Sequence, residues 1–311
     1  MLRHILLAAS ASDRVRELVL SAPMARKVVA RYVAGDAAAD AVATARALRA
    51  AGLLVTLDYL GEDTRESRQA AAVVEEYQAL LALLSAAGLT RDGGAEVSVK
   101  PTAVGLGLAE HGEKTATENI ARICTAARNA GTTVTLDMED HPWVDATLRI
   151  VRALRDDFPD LGCVIQSQLR RSVADCTALT RRGSRVRLCK GAYDAPADVA
   201  YTDRSEIDRS YAHCLGVLMR GAGYPMVATH DPRLVKIATS QAYLTGRGQD
   251  GFEYQMLYGI RPAEQRRLAA TGARVRVYVP YGSDWYAYLI RRLAERPANL
   301  VFFLRSLVST A

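Results

Sequence analysis

Apolar runs rich in β-branched residues recur along the chain, and each is followed by a longer stretch in which apolar residues return every three or four positions. The runs at Leu53–Leu60, Ala95–Thr102, Thr132–Glu139, Leu161–Gln168, Ser184–Tyr193, Tyr224–His230, Phe252–Leu257 and Arg274–Tyr281 predict strands. Between them, stretches such as Glu66–Ala87 and Ser205–Arg220 predict helices, with Gly88, Gly131, Gly183 and Gly272 where helix C-caps are expected. A strand followed by a helix throughout implies a parallel sheet, and about eight such units are the count of an α/β (β/α)8 barrel. Upstream, Asp13–Arg31 and Asp36–Ala51 read as extra helices that plug or cover the barrel. The expectation is one domain over 1–311, with N-terminal helices in 1–52 and the barrel in 53–311. No linker, low-complexity tract or repeat interrupts it.

Composition narrows the function classes. Half of the 311 residues are hydrophobic, enough for one large core. The net charge is +6, but the 40 basic residues are scattered rather than gathered into a run with interleaved aromatics, which argues against nucleic acid. Weak attraction to an anionic membrane surface stays open. Five cysteines (Cys124, Cys163, Cys176, Cys189, Cys214) form no C-x-x-C pair, so neither a disulfide framework nor a zinc site is indicated. The apolar stretch Ile5–Ala9 is short for a signal-peptide core, and no stretch approaches the roughly 18 apolar residues that span a bilayer. A cytoplasmic protein is expected, with peripheral contact at the inner face of the membrane as an option.

The polar residues gather at the predicted strand ends: Asp58, Lys100, Asp137 with Glu139, Gln166 with Gln168, Arg187 with Lys190, Thr229 with His230, Glu253 with Gln255, and Tyr278. In a barrel that rim carries the active site, because strand ends and loops converge there. A second cluster follows from helical spacing, since Tyr288, Arg291, Arg292 and Glu295 lie three or four positions apart and share one face. Two adjacent guanidiniums on such a face grip a small carboxylate, although a self-paired surface helix has the same pattern. Two other motifs are set aside. Gly246–Gly251 matches G-x-G-x-x-G but follows a helix and precedes a strand, so it reads as a flexible loop at the barrel's far end. Asp137, Glu139, Asp140 and His141 run from a strand into a turn at Pro142, and no metal site is read there.

Nine ordered segments resemble the proline dehydrogenase family: TLDYLGE (Thr56–Glu62), SVKPT (Ser98–Thr102), TLDMED (Thr135–Asp140), VIQ (Val164–Gln166), RLCKGAY (Arg187–Tyr193), ATH (Ala228–His230), FEYQMLYG (Phe252–Gly259), VYVPYG (Val277–Gly282) and YLIRRLAE (Tyr288–Glu295). The resemblance covers roughly Tyr32 to Leu304 and is to the short, single-activity bacterial form. It implies a distorted (β/α)8 barrel that binds FAD and oxidises L-proline to 1-pyrroline-5-carboxylate, with a membrane quinone as electron acceptor. By the same resemblance Arg291, Arg292 and Lys100 hold the substrate carboxylate, Asp137 balances these cations, and Tyr278 and Tyr288 wall the ring. Arg187 lies beside the flavin N5. Met138, Val164, Gln166, Lys190, Gly191, Ala192, Tyr193, Thr229, His230, Gln255 and Glu295 match positions that hold FAD. Gly191 also has a local rationale, because it lets the backbone approach a bulky cofactor closely. Glu62 matches a carboxylate that pairs with Arg291 as a gate when the site closes.

Three departures stand out. Asp231 replaces a usual Asn and puts a charge near the cofactor; Cys189 replaces a usual Val; and Pro101 stiffens the loop after Lys100 and removes a backbone donor. From the residues alone, two other readings stay open. One is a metal- or lysine-dependent lyase or aldolase using Lys100 as base or Schiff-base amine. The other is a barrel that only binds a ligand, against which the three cations at one rim speak.

Overall fold

The computed structural model describes residues 29–294, with side chains through Ile290. Eight parallel strands close on themselves in sequence order. They are β1 (Leu54–Tyr59), β2 (Ala95–Val99), β3 (Val134–Leu136), β4 (Gly162–Gln166), β5 (Arg185–Cys189), β6 (Tyr224–Ala228), β7 (Glu253–Leu257) and β8 (Val275–Tyr281). The seam runs from Leu54 against Arg276 to Tyr59 against Tyr281. Each strand lies inside its predicted run, and most stop short of the predicted C-terminal end. Lys100, for instance, leaves the ladder to start a 3-10 turn over Pro101–Val104, where a proline at the first position costs no needed donor. The polar residues that prolong the predicted runs are the ones that turn into the barrel mouth.

The helices are α1 (Ala38–Ala50), α2 (Ser67–Ala86), α3 (Gly112–Asn129), α4 (Val144–Leu154), α5 (Ser172–Ala178), α6 (Arg204–Arg220), α7 (Pro232–Leu244), α8 (Pro262–Ala270) and α9 (Tyr286–Ala294). In α2 the buried positions Ala70, Val74, Tyr77, Leu81 and Leu84 recur at helical spacing and face the strands. Asp203 caps α6 by accepting from the backbone N–H groups of Ser205 and Glu206.

The predicted Asp36–Ala51 helix forms α1, which covers the outside of β8 and β1 with Ala41 and Ala45 fully buried; their small side chains let the backbones approach. Helix α9, with Trp285 just before it, packs through Tyr286, Tyr288, Leu289 and Ile290 against Val29, Tyr32, Val33 and Leu60, a cluster separate from the main core. Because Leu60 directly follows β1, α9 is held at the C-terminal rim. The predicted helix Asp13–Arg31 lies almost entirely outside the described residues, as does Glu295.

The lumen is charged where barrels usually stack Val, Ile and Leu. Side chains from several strands meet in the lumen, and near the N-terminal end these contacts are ionic. Arg185 Nη2 of β5 lies 2.6 Å from Glu96 Oε2 of β2, and Arg276 Nε of β8 lies 2.7 Å from Glu253 Oε1 and 3.7 Å from Glu96 Oε1. Burial opposes the Glu96 carboxylate, but Arg185 and Arg276 outweigh it and hold its pKa well below the usual range.

Candidate active site

One layer above this floor, a second set of inward side chains converges at the mouth. Lys100 Nζ sits 2.7 Å from both carboxylate oxygens of Asp58. It is 3.9 Å from Asp137 Oδ2. Burial penalises the ammonium, yet Asp58, Asp137 and Glu62 together outweigh that penalty and raise its pKa. Asp137 is the hub of the remaining contacts: Oδ1 accepts from Arg187 Nη1 at 2.6 Å and Ser98 Oγ at 2.7 Å, and Oδ2 accepts from the Tyr278 hydroxyl at 2.6 Å. The Arg187 guanidinium lies 5.2 Å from the centre of the Tyr278 ring, close enough for a cation–π contact.

Arg187 has five N–H donors. Nε donates to Gln255 Oε1 at 2.5 Å, and Nη1 donates to Asp137 and, at 2.9 Å, to Ser98 Oγ. Nη2 is buried and has no hydrogen-bond partner among the described residues. Leaving a buried donor unsatisfied costs about 1–3 kcal/mol, so this nitrogen needs an acceptor from outside the described residues, whether a side chain, a water or a bound molecule.

Around this centre the strand ends form a polar collar. Glu139 accepts from the Thr102 N–H at 2.9 Å and from its hydroxyl, while burial raises its carboxyl pKa to about 7. Gln166 Nε2 donates to the Glu139 carbonyl at 2.8 Å. The Leu257 N–H donates to His230 Nε2 at 2.9 Å, which leaves the ring proton on Nδ1. Lys190 Nζ lies 2.5 Å from Asp208 and 3.4 Å from Asp231. The Tyr193 hydroxyl donates to Glu62 Oε2 at 3.0 Å. Because β1 and β5 stand opposite one another in an eight-stranded barrel, that bond spans the mouth. A groove of about 470 Å³ lined by residues such as Arg128 and Phe158 lies near the start of β3 and β4, remote from these groups.

The family model for proline dehydrogenase matches residues 41–305. The chain is 39% identical over 280 residues to proline dehydrogenase of Deinococcus radiodurans, covering 89% of each chain. It is 36% identical over 308 residues to proline dehydrogenase 1 of Bacillus subtilis, covering 99% of each. The chain belongs to the proline dehydrogenase family. The fold agrees: proline utilization A from Bdellovibrio bacteriovorus, solved after inactivation by N-propargylglycine, superposes with a TM-score of 0.82 at 24% identity. That match covers 92% of this chain, which spans about a third (34%) of the longer protein.

Within this proline dehydrogenase barrel, Lys100, Asp137, Gln166, Arg187, Thr229, Gln255 and Tyr278 all occur at the same rim, and Met138 and Val164 are buried beside it. Tyr288 is buried on α9. Arg291 and Arg292 continue that helix, but their side chains lie outside the described residues, so the gate between Glu62 and Arg291 has only its Glu62 half described. Several expectations gain detail. The near counter-ion of Lys100 is Asp58, and Asp137 chiefly holds Arg187. Gly191, at φ +119°, lies against Gln168, whose Cδ would stand 2.3 Å from an added Cβ. The Gly246–Gly251 loop is tied down, because Arg247 donates to the carbonyls of Met219, Gly221, Gly223 and Gly251. Asp231 is also spent locally, capping α7 and pairing with Arg233.

Sequence reasoning gave no role to Ser98, Glu96 or Arg276, and none to Asp58 and Glu253 beyond their place at strand ends. Their signal was present as polar residues two apart on one strand face: Thr56 and Asp58, Glu96, Ser98 and Lys100, Arg185 and Arg187, Glu253 and Gln255, Arg276 and Tyr278. Charged residues at period two in a barrel strand point to a polar lumen.

Proposed function

We propose that this protein is an FAD-dependent proline dehydrogenase that oxidises L-proline to 1-pyrroline-5-carboxylate, the first step of proline catabolism to glutamate, and passes the electrons to a quinone. The observation that carries the reading is the buried Nη2 of Arg187, without a partner among the described residues and set among Asp137, Tyr278 and Lys100 at the rim of a family barrel. Bound flavin supplies the acceptor for a hydride leaving the ring carbon next to nitrogen. Arg187 offers a fixed cation where that acceptor takes up negative charge. Lys100, kept charged by its carboxylates, joins Arg291 and Arg292 in holding the substrate carboxylate, and Tyr278 and Tyr288 bound the ring. Gln166, Thr229, His230, Lys190 to Tyr193, Gln255 and Glu295 supply the collar that holds FAD. Glu62 covers the site from the β1 side, where Tyr193 already engages it.

The lyase reading loses its central group. A Schiff-base or general-base lysine needs a neutral amine, and Lys100 is held protonated against Asp58. Among the described residues no helix is long and apolar enough to cross a membrane, so contact with a membrane quinone is proposed as peripheral. The test is incubation of the purified protein with L-proline and a soluble quinone, trapping the cyclic imine product with o-aminobenzaldehyde. Imine formed in step with quinone reduction supports the reading; proline consumed without quinone reduction, or not at all, contradicts it.

A further inference from the structure

We infer that Glu253, deep in the barrel, is a positioning residue: acting through Gln255, it fixes the plane of the Arg187 guanidinium and so where Nη2 points. The consequence for turnover rests on the proposed flavin-dependent reading, but the geometry does not.

Glu253 is fully buried, and both of its oxygens act as acceptors. Oε1 accepts from Arg276 Nε at 2.7 Å and from Gln255 Nε2 at 2.6 Å. Oε2 accepts from Arg276 Nη2 at 3.1 Å and from the Tyr224 hydroxyl at 3.3 Å. A carboxylate can only accept, so the Gln255 amide must turn its NH2 toward Glu253. Its carbonyl oxygen then points the other way, at Arg187 Nε. The reversed amide would set oxygen against carboxylate and NH2 against guanidinium, two repulsive contacts inside a dry lumen. Gln255 therefore adapts an acceptor below it to a donor above it. This works because residues 253 and 255 are two apart on one strand and face the same side.

The guanidinium is planar, and two anchored nitrogens define its plane. Asp137 and Ser98 hold Nη1, and Gln255 holds Nε. With the Nε anchor lost, the group can pivot about Nη1, and Nη2 swings away from its present direction. A purely structural account of Glu253, as counter-ion to Arg276, does not require the Gln255 contact. Arg276 also has Glu96 within 3.7 Å and donates to the carbonyls of Val55 and Gly93.

The experiment uses the full chain loaded with FAD. In E253M/R276M the two buried charges leave together, so no uncompensated ion remains, and such exchanges are often neutral for stability. The positioning role predicts FAD still bound, proline KM within about twofold of the parent, flavin reduction slowed about tenfold, and a midpoint potential lowered by a tenfold change in the redox equilibrium, about 30 mV for a two-electron couple. A potential equal to the parent's in the folded, flavin-loaded double variant overturns the inference. If the double variant does not fold, E253Q carries the test: its amide presents a donor as well as an acceptor, releases the orientation of Gln255, and should lower the potential in the same direction by a smaller amount. An unchanged potential there also overturns it. The parent separates the two claims: a parent that binds no flavin refutes the function reading and the inference together, whereas a proline-reducible parent with unmoved variants refutes the positioning role alone.

Discussion

Lys100 shows how far a single residue can be read from its neighbours. Its identity at the end of the second strand was legible, but its counter-ion was not, because Asp58 is distant in sequence and the pairing exists only once β1 and β2 lie side by side. Both groups are buried, so removing one leaves the other uncompensated. Lys100→Met should destabilise the fold by about 3–5 kcal/mol, and adding Asp58→Asn should recover most of that loss without restoring proline binding. Urea denaturation of both variants decides; equal stabilities would mean that the pair is not a buried ion pair. Glu139 makes a pH prediction. Its folded pKa, raised from the ordinary 4.5 to about 7 by burial, means that its stabilising proton is fully present below pH 4.5 and lost as the pH rises through 7. The shift is worth roughly 3 kcal/mol, so the parent should lose stability relative to Glu139→Gln between about pH 5 and pH 8. Parallel stability curves for the two proteins would contradict it.

At the scale of elements, the segment after β5 carries the closest packing in the site. Gly191 has a backbone conformation that L side chains rarely adopt, and Gln168, held by its own bond to the Tyr193 carbonyl, fills the space where a Cβ would go. Gly191→Ala should cost roughly 1–3 kcal/mol and weaken FAD retention, read by thermal melting and by flavin released on gel filtration. An alanine variant with parent stability would show that Gln168 moves aside freely. The same segment supplies Tyr193, whose bond to Glu62 joins loops on opposite sides of the mouth. Tyr193→Phe should slow flavin reduction in stopped flow with melting temperature nearly unchanged, if that bridge is part of closure; unaltered reduction would leave it a rim contact. The need for glycine at 191 was legible, but not its physical partner. Gln168 approaches across the β4–β5 pair, and no sequence period reports a contact between two loops.

For the whole molecule, the strand–helix alternation was enough to give the closed barrel, since eight apolar runs with intervening helices have few other ways to bury both faces of a parallel sheet. Which helix covers which surface was less legible. Amphipathic spacing says that α1 and α9 each bury a face, and nothing in that spacing says that α1 takes the wall beside β8 while α9 goes to the rim. The charged lumen is less legible for a related reason: apolar runs mark the strands, and a polar residue at every second position looks the same at a strand end as in a barrel interior. That interior connects Glu253, Gln255, Arg187 and Asp137 into one line from floor to mouth, ending in the Arg187 nitrogen that has no partner among the described residues and on which the functional reading rests. The most direct test is an anaerobic absorption titration of the purified protein with L-proline. The account predicts a flavin spectrum that bleaches as proline is added, and an Arg187→Met variant that binds flavin but bleaches far more slowly. A colourless protein that takes up no FAD, or a flavin that proline does not reduce, would contradict it.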